Sequence, residues 1–125
     1  LREKMNLKEK GEFISARKGV LNPNTLSTEA RNALIQEKPA YGNLICRCEM
    51  ISEGEILDAI HRSLGAKSLD GIKRRTRVGM GRCQGGFCAP RVMEILAGEL
   101  GMNIRDITKS GGASRMLSGV NKDTQ

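Results

Sequence analysis

"RVGMGRCQGGFCAPRVMEILAGELG", residues 77–101, changes character halfway along. Up to Cys88 it is a loop: Gly79, Gly81, Gly85 and Gly86 break any regular element and two cysteines sit among them. After Cys88 it is a helix. Val92, Met93, Ile95, Leu96 and Leu100 recur at helical spacing on one side, with Glu94 opposite. Pro90 suits the first turn of that helix and Gly101 suits the position past its end. The stretch therefore predicts a glycine-rich loop that delivers two thiols to a helix N-terminus.

Reading upstream, "SEGEILDAIHRSLG" (52–65) repeats the scheme. Ser52 and Glu55 form an S-x-x-E capping box, and Ile56, Leu57, Ala59, Ile60 and Leu64 share a face. A helix to about Leu64 is expected, with Gly65 as its stop. "SLDGIKRRT" (68–76) reads as a shorter helical turn capped by Ser68. Ser27 caps a further helix over 28–37, with Ala30, Ala33 and Leu34 on one side and Pro39 ending it. "PAYGN" then turns into the apolar run Leu44-Ile45. Residues 1–24 read as an irregular lead. Beyond Met102, Asn103 can cap "NIRDITK", and the Gly/Ser-rich remainder reads as a mobile tail. The fold expected is mostly α, a small helix-turn-helix domain over residues 41–102. A lead over 1–40 and a C-terminal extension over 103–125 flank it.

Composition narrows the chemistry. Of 125 residues 38% are hydrophobic and 2% aromatic, so the core is small and aliphatic, of the kind that leans on a metal or a partner. The N-terminal "LREKMNLKEK" lacks the apolar stretch of a signal peptide, and no apolar run is long enough to span a membrane. The expectation is an intracellular, cytoplasmic protein with reduced thiols. A net charge of +7 suits acidic partners of several kinds without choosing among them. "KRRTR" (73–77) carries no interleaved aromatics, so it reads as a solvated face and nucleic acid is not expected.

The cysteines come in two close pairs, C-x-C-x34-C-x4-C, at Cys46, Cys48, Cys83 and Cys88. One residue between Cys46 and Cys48 leaves too little backbone for an unstrained disulfide between them. Two such pairs with no spare thiol describe one four-thiolate site, for zinc or for an iron–sulfur cluster. Each pair precedes a helix N-terminus, where free N–H groups and the helix dipole favour thiolates. Gly79, Gly81, Gly85 and Gly86 allow backbone N–H groups to approach sulfur. Arg47, Lys73, Arg74, Arg75, Arg77, Arg82 and Arg91 surround the motif in sequence and would favour the electron-rich state where they are near. His61 lies at the border of an apolar face and is not needed as a fifth ligand.

"ICRCE", "EGEILDAI", "KRRTRVGMGRCQGGFC" and "PRVMEILA" resemble the [2Fe-2S] domain of the bacterioferritin-associated ferredoxin type, over roughly residues 41–101. The C-x4-C second pair is similar to copies fused to flavoenzymes, where free-standing ferredoxins usually have C-x2-C. The resemblance implies Cys46, Cys48, Cys83 and Cys88 as cluster ligands, with Gly81, Gly85 and Gly86 around the cofactor. "PAYGNLICRCE" also resembles the C-terminal region of FAD-dependent oxidoreductases similar to anaerobic glycerol-3-phosphate dehydrogenase. That implies an electron-transfer fragment whose FAD lies in a missing parent domain, since no G-x-G-x-x-G fingerprint occurs here. A start at Leu1 and a long lead suit such a fragment. The implied partners are that FAD domain and an electron acceptor, protein or quinone. A structural Zn(Cys)4 interaction module, with Zn2+ as substitute, is the competing expectation. A free ferredoxin serving iron storage is disfavoured by the lead.

Overall fold

The computed structural model describes residues 5–6, 8, 11–12, 16, 18–119 and 121. Much of the expected lead over 1–24, and the end of the expected tail, thus lies outside the described residues. Along the chain come α1 (Thr28–Glu37), β1 (Leu44–Cys46), β2 (Ile51–Ser52), α2 (Glu53–His61), α3 (Leu69–Thr76) and α4 (Ala89–Leu100). Single 3-10 turns lie at Pro23–Thr25, Pro39–Gly42 and Ile104–Asp106. The molecule is mostly helical, and its core lies where α2, α3 and α4 meet. Ile56, Ile72 and Leu96, one from each helix, have no exposed surface.

Capping decides where the helices start. The Ser52 hydroxyl accepts from Glu55 N–H at 3.4 Å while the Glu55 carboxylate accepts from Ser52 N–H at 2.8 Å, a complete capping box. Ser27 and Ser68 accept from Ala30 and Gly71 N–H in the same way. α4 starts at Ala89 with Pro90 in its first turn and ends at Gly101, left-handed at φ 62°.

α2 stops earlier than its sequence suggests, and for a different reason. It ends at His61, and the left-handed residue is Leu64, at φ 55°. Gly65 is needed for space: a Cβ there would lie 1.8 Å from the Ile60 carbonyl oxygen. α1 buries no residue; Ala30 and Ala33 face solvent, and only Arg31, Leu34 and Ile35 are partly covered. Gly42 lies against Ile35.

The turn before β1 is fixed to α2 by Tyr41. Its buried ring covers Gly54, where a Cβ would come within 2.5 Å of ring carbon, and its hydroxyl donates to Asp58. Burial, then this hydrogen bond, push the Tyr41 phenol above its ordinary value. Asn24 donates to the Met50 carbonyl and Arg62 to the Lys18 carbonyl.

The expected mobile tail differs from the structure over its first part. Ile107 is buried, Leu69 and Asp70 donate their N–H groups to the Thr108 and Lys109 carbonyls, and Thr108 bridges to Arg115. Lys109 Nζ reaches the Asp70 carboxylate at 3.0 Å, which holds that carboxyl below its ordinary value. This hook on the start of α3 outweighs the entropy its glycines would otherwise keep.

Candidate metal centre

Two turns carry the four thiols. The first is the tight connection between β1 and β2, antiparallel strands with an irregular register around Cys46. It holds Cys46 inside the core and lifts Cys48 to the surface, with Met50 left-handed at φ 54°. The second turn runs from Arg77, the left-handed cap of α3, to Cys88 at the N-cap of α4. Gly79, Gln84 and Gly85 are all left-handed there, at φ 77°, 51° and 85°. A non-glycine residue in that region is strained, so Gln84 marks a backbone held by its surroundings. Gln84 Nε2 donates to the Gly81 and Met80 carbonyls.

The turns close on each other at Gly81. A Cβ there would sit 2.3 Å from the Cys48 Cβ, so only glycine lets Cys48 and the second turn approach. The thiols of the two turns are neighbours: Cys83 lies near Cys48, and Cys88 near both Cys46 and Cys83. Cys46 and Cys88 are buried, Cys83 is partly covered and Cys48 is exposed. Among the described residues, no three His, Cys, Asp or Glu side chains converge on one ion-sized position.

Their environments differ as sharply as their burial. The Phe87 N–H, the Cys48 thiol and the Gly85 and Gly86 N–H groups hold the Cys83 thiol below its ordinary value. Burial, reinforced by neighbouring Cys46 and Cys83, pushes Cys88 up to about 11. A Cβ on Gly86 would press the Cys83 carbonyl oxygen at 3.2 Å. Gly81 is where the two turns approach, and the Gly85 and Gly86 N–H groups lie beside Cys83. Successive N–H groups in such a turn form a concavity that favours negative charge. Four thiols with this donor set suit an anionic iron–sulfur group.

The basic residues near the motif in sequence divide in space. Arg47 and Arg82 lie exposed on the two turns, each beside a cysteine. Arg77 Nε pairs with Glu49 at 2.9 Å, and Arg91 pairs with Glu94 at 2.9 Å and with Glu53 at 3.6 Å. Arg75 donates to the Gly71 and Leu64 carbonyls. His61 pairs with Glu99. Nothing in the sequence points to a cavity of about 130 Å³ beside Cys88, lined by Leu69, Lys73, Gly85, Val92, Lys109 and Met116 among others. Its outer wall is the C-terminal hook, which only the structure reveals. Phe87, 90% exposed between the second pair of cysteines, is also absent from the residues that the motif singles out, although an aromatic in a chain with only three is a visible signal.

Comparison with known proteins adds the lineage. Residues 44–98 match the family model of the BFD-like [2Fe-2S] binding domain. The chain is 47% identical over 116 residues to a glycerol 3-phosphate dehydrogenase of Caloramator mitchellensis, covering 93% of this chain and 24% of that protein. It is 42% identical over 64 residues to a component of the anaerobic glycerol-3-phosphate dehydrogenase of Escherichia coli, covering 51% of this chain and 12% of that protein. It is 43% identical over 66 residues to the hydrogen cyanide synthase component HcnB of Pseudomonas aeruginosa, covering 50% of this chain and 14% of that protein. The chain therefore spans about a quarter or less of these relatives' length. No solved structure matches. Among the described residues no helix is long and apolar enough to cross a membrane.

Proposed function

We propose, from the premise that this chain belongs to the BFD-like [2Fe-2S] binding domain family through residues 44–98, that the domain relays single electrons for a larger FAD-dependent dehydrogenase. Cys46, Cys48, Cys83 and Cys88 are the four ligands in this reading, and Gly81, Gly85 and Gly86 shape the site around them. When bound, the [2Fe-2S] group supplies one-electron storage at a potential tuned by its surroundings. The chain's own residues do the rest. N–H groups of Gly85, Gly86 and Phe87 stabilise negative charge on the sulfur of Cys83, and the packed helices keep water from Cys46 and Cys88.

The observation that carries the reading is the approach of two thiol-bearing turns at Gly81. The N–H groups of Gly85, Gly86 and Phe87 beside Cys83 suit the charged sulfur of an iron–sulfur group. Two of the relatives of matching sequence are named as glycerol 3-phosphate dehydrogenases, which favours glycerol 3-phosphate as the parent's substrate. FAD in that parent follows from the resemblance of the sequence to flavoenzyme-fused copies. The electron passes from that flavin to an acceptor, a protein or a quinone. Four free thiols suit the reducing cytoplasm.

The test is anaerobic purification of the chain, with iron, zinc and sulfide quantified and visible and reduced-state EPR spectra recorded. Two irons per chain and a rhombic signal from one unpaired electron are expected. Stoichiometric zinc without iron after anaerobic reconstitution would make this a Zn(Cys)4 module and overturn the relay.

A further inference from the structure

The two thiol-bearing turns share a surface pattern that ligation does not explain. Each shows solvent one arginine and one apolar side chain: Arg47 with Met50 on the first, Arg82 with Phe87 on the second. Phe87 is 90% exposed and Met50 46%. The turns abut at Gly81 and Cys48, so the four exposed side chains lie on two adjoining turns of the centre.

The fold gains almost nothing from Phe87. An aromatic ring left in water forgoes the stabilisation that burial would contribute. Single exposed apolar residues are ordinary, but this one sits where its own N–H points at the Cys83 sulfur. The charge around it is also one-sided. The neighbouring carboxylates Glu49 and Glu53 are engaged by Arg77 and Arg91. Arg47 and Arg82 make no ion pair with any described residue. An exposed aromatic anchor beside uncompensated arginines is the composition of an interface core with a charged rim.

We infer that Phe87 and Met50, rimmed by Arg47 and Arg82, form the docking surface for an acidic redox protein that presents an apolar recess among carboxylates. This rests on the relay reading and adds where the exchange partner sits and what chemistry recognises it. Phe87 fills the recess, and the two arginines steer and orient the encounter. Because Phe87 belongs to the loop that donates N–H groups to Cys83, the contact places the partner within one residue of a thiol.

The experiment titrates the full chain against an acidic flavodoxin, followed by fluorescence anisotropy at low and high salt. Basic cytochrome c serves as control. Phe87→Ala removes a side chain that packs on almost nothing and should fold as the parent does. It is expected to weaken flavodoxin binding about tenfold at every salt concentration. The pair Arg47→Glu and Arg82→Glu should weaken it by a similar factor at low salt and flatten the salt dependence. Far-UV circular dichroism should show all variants folded as the parent is. Parent-like binding by both variants overturns the docking surface and leaves the relay standing. Binding of cytochrome c with equal strength, or a Phe87→Ala effect confined to self-association in sedimentation, overturns it as well. A reconstituted parent chain with no iron signal overturns the relay, and the docking role with it.

Discussion

Single atoms decide several positions in this chain. A methyl group on Gly81 would overlap Cys48, and overpacking of that kind costs about 1–3 kcal/mol. Gly81→Ala is therefore expected to push the first turn outward and lower the iron bound per chain after reconstitution, as measured by metal analysis. Cys83→Ser is expected to abolish the parent visible spectrum, because a hydroxyl binds iron far more weakly than a thiolate; an unchanged spectrum would remove Cys83 from the ligand set. Tyr41 offers a pH test remote from the thiols. Its phenol is raised in the folded chain, so its contribution is fully present below the ordinary value of 10.0 and is lost as pH climbs above it. Urea midpoints should fall as pH rises from about 10 to 12 in the parent, and Tyr41→Phe should shrink that fall. The thiol motif was legible in the sequence because two close pairs with no spare cysteine leave few readings. The approach of the two turns was not, because it depends on Gly81 letting them touch.

At the scale of elements, capping made the helices readable. Ser27, Ser52 and Ser68 each accept the hydrogen bond that their sequence pattern suggests. Ser52→Ala should cost about 0.5–2 kcal/mol, read as a shift in the urea midpoint. The strands were not legible. At three and two residues they carry no alternation to detect, and they exist because the connection between them must fold back to present Cys48. Gly65 misled because glycine after a helix suggests a left-handed cap, whereas the Ile60 carbonyl is what requires it. The C-terminal hook was hidden by its composition. Gly111 and Gly112 suggest mobility, yet they form the tip of a loop whose base is held by Ile107 and Lys109. Ile107→Ala is expected to cost about 2–5 kcal/mol in thermal or urea unfolding.

At the scale of the molecule, α2, α3, α4 and the hook close over an aliphatic core that holds two of the thiols, Cys46 and Cys88. The centre and the fold are thus built from the same residues. Where the bound group holds only the native state, its removal lowers apparent stability by mass action.

That the four thiols come from two turns far apart in the sequence also fixes a timetable. A ribosome adds roughly 5–20 residues per second, so Cys88 follows Cys48 by about two to eight seconds. During that interval neither early thiol has the second turn beside it. Release of the α4 segment from the exit tunnel must follow before the second turn can fold. Metallation accordingly waits until α4 has emerged, and a cell that makes this chain must keep two naked thiols from reacting until then.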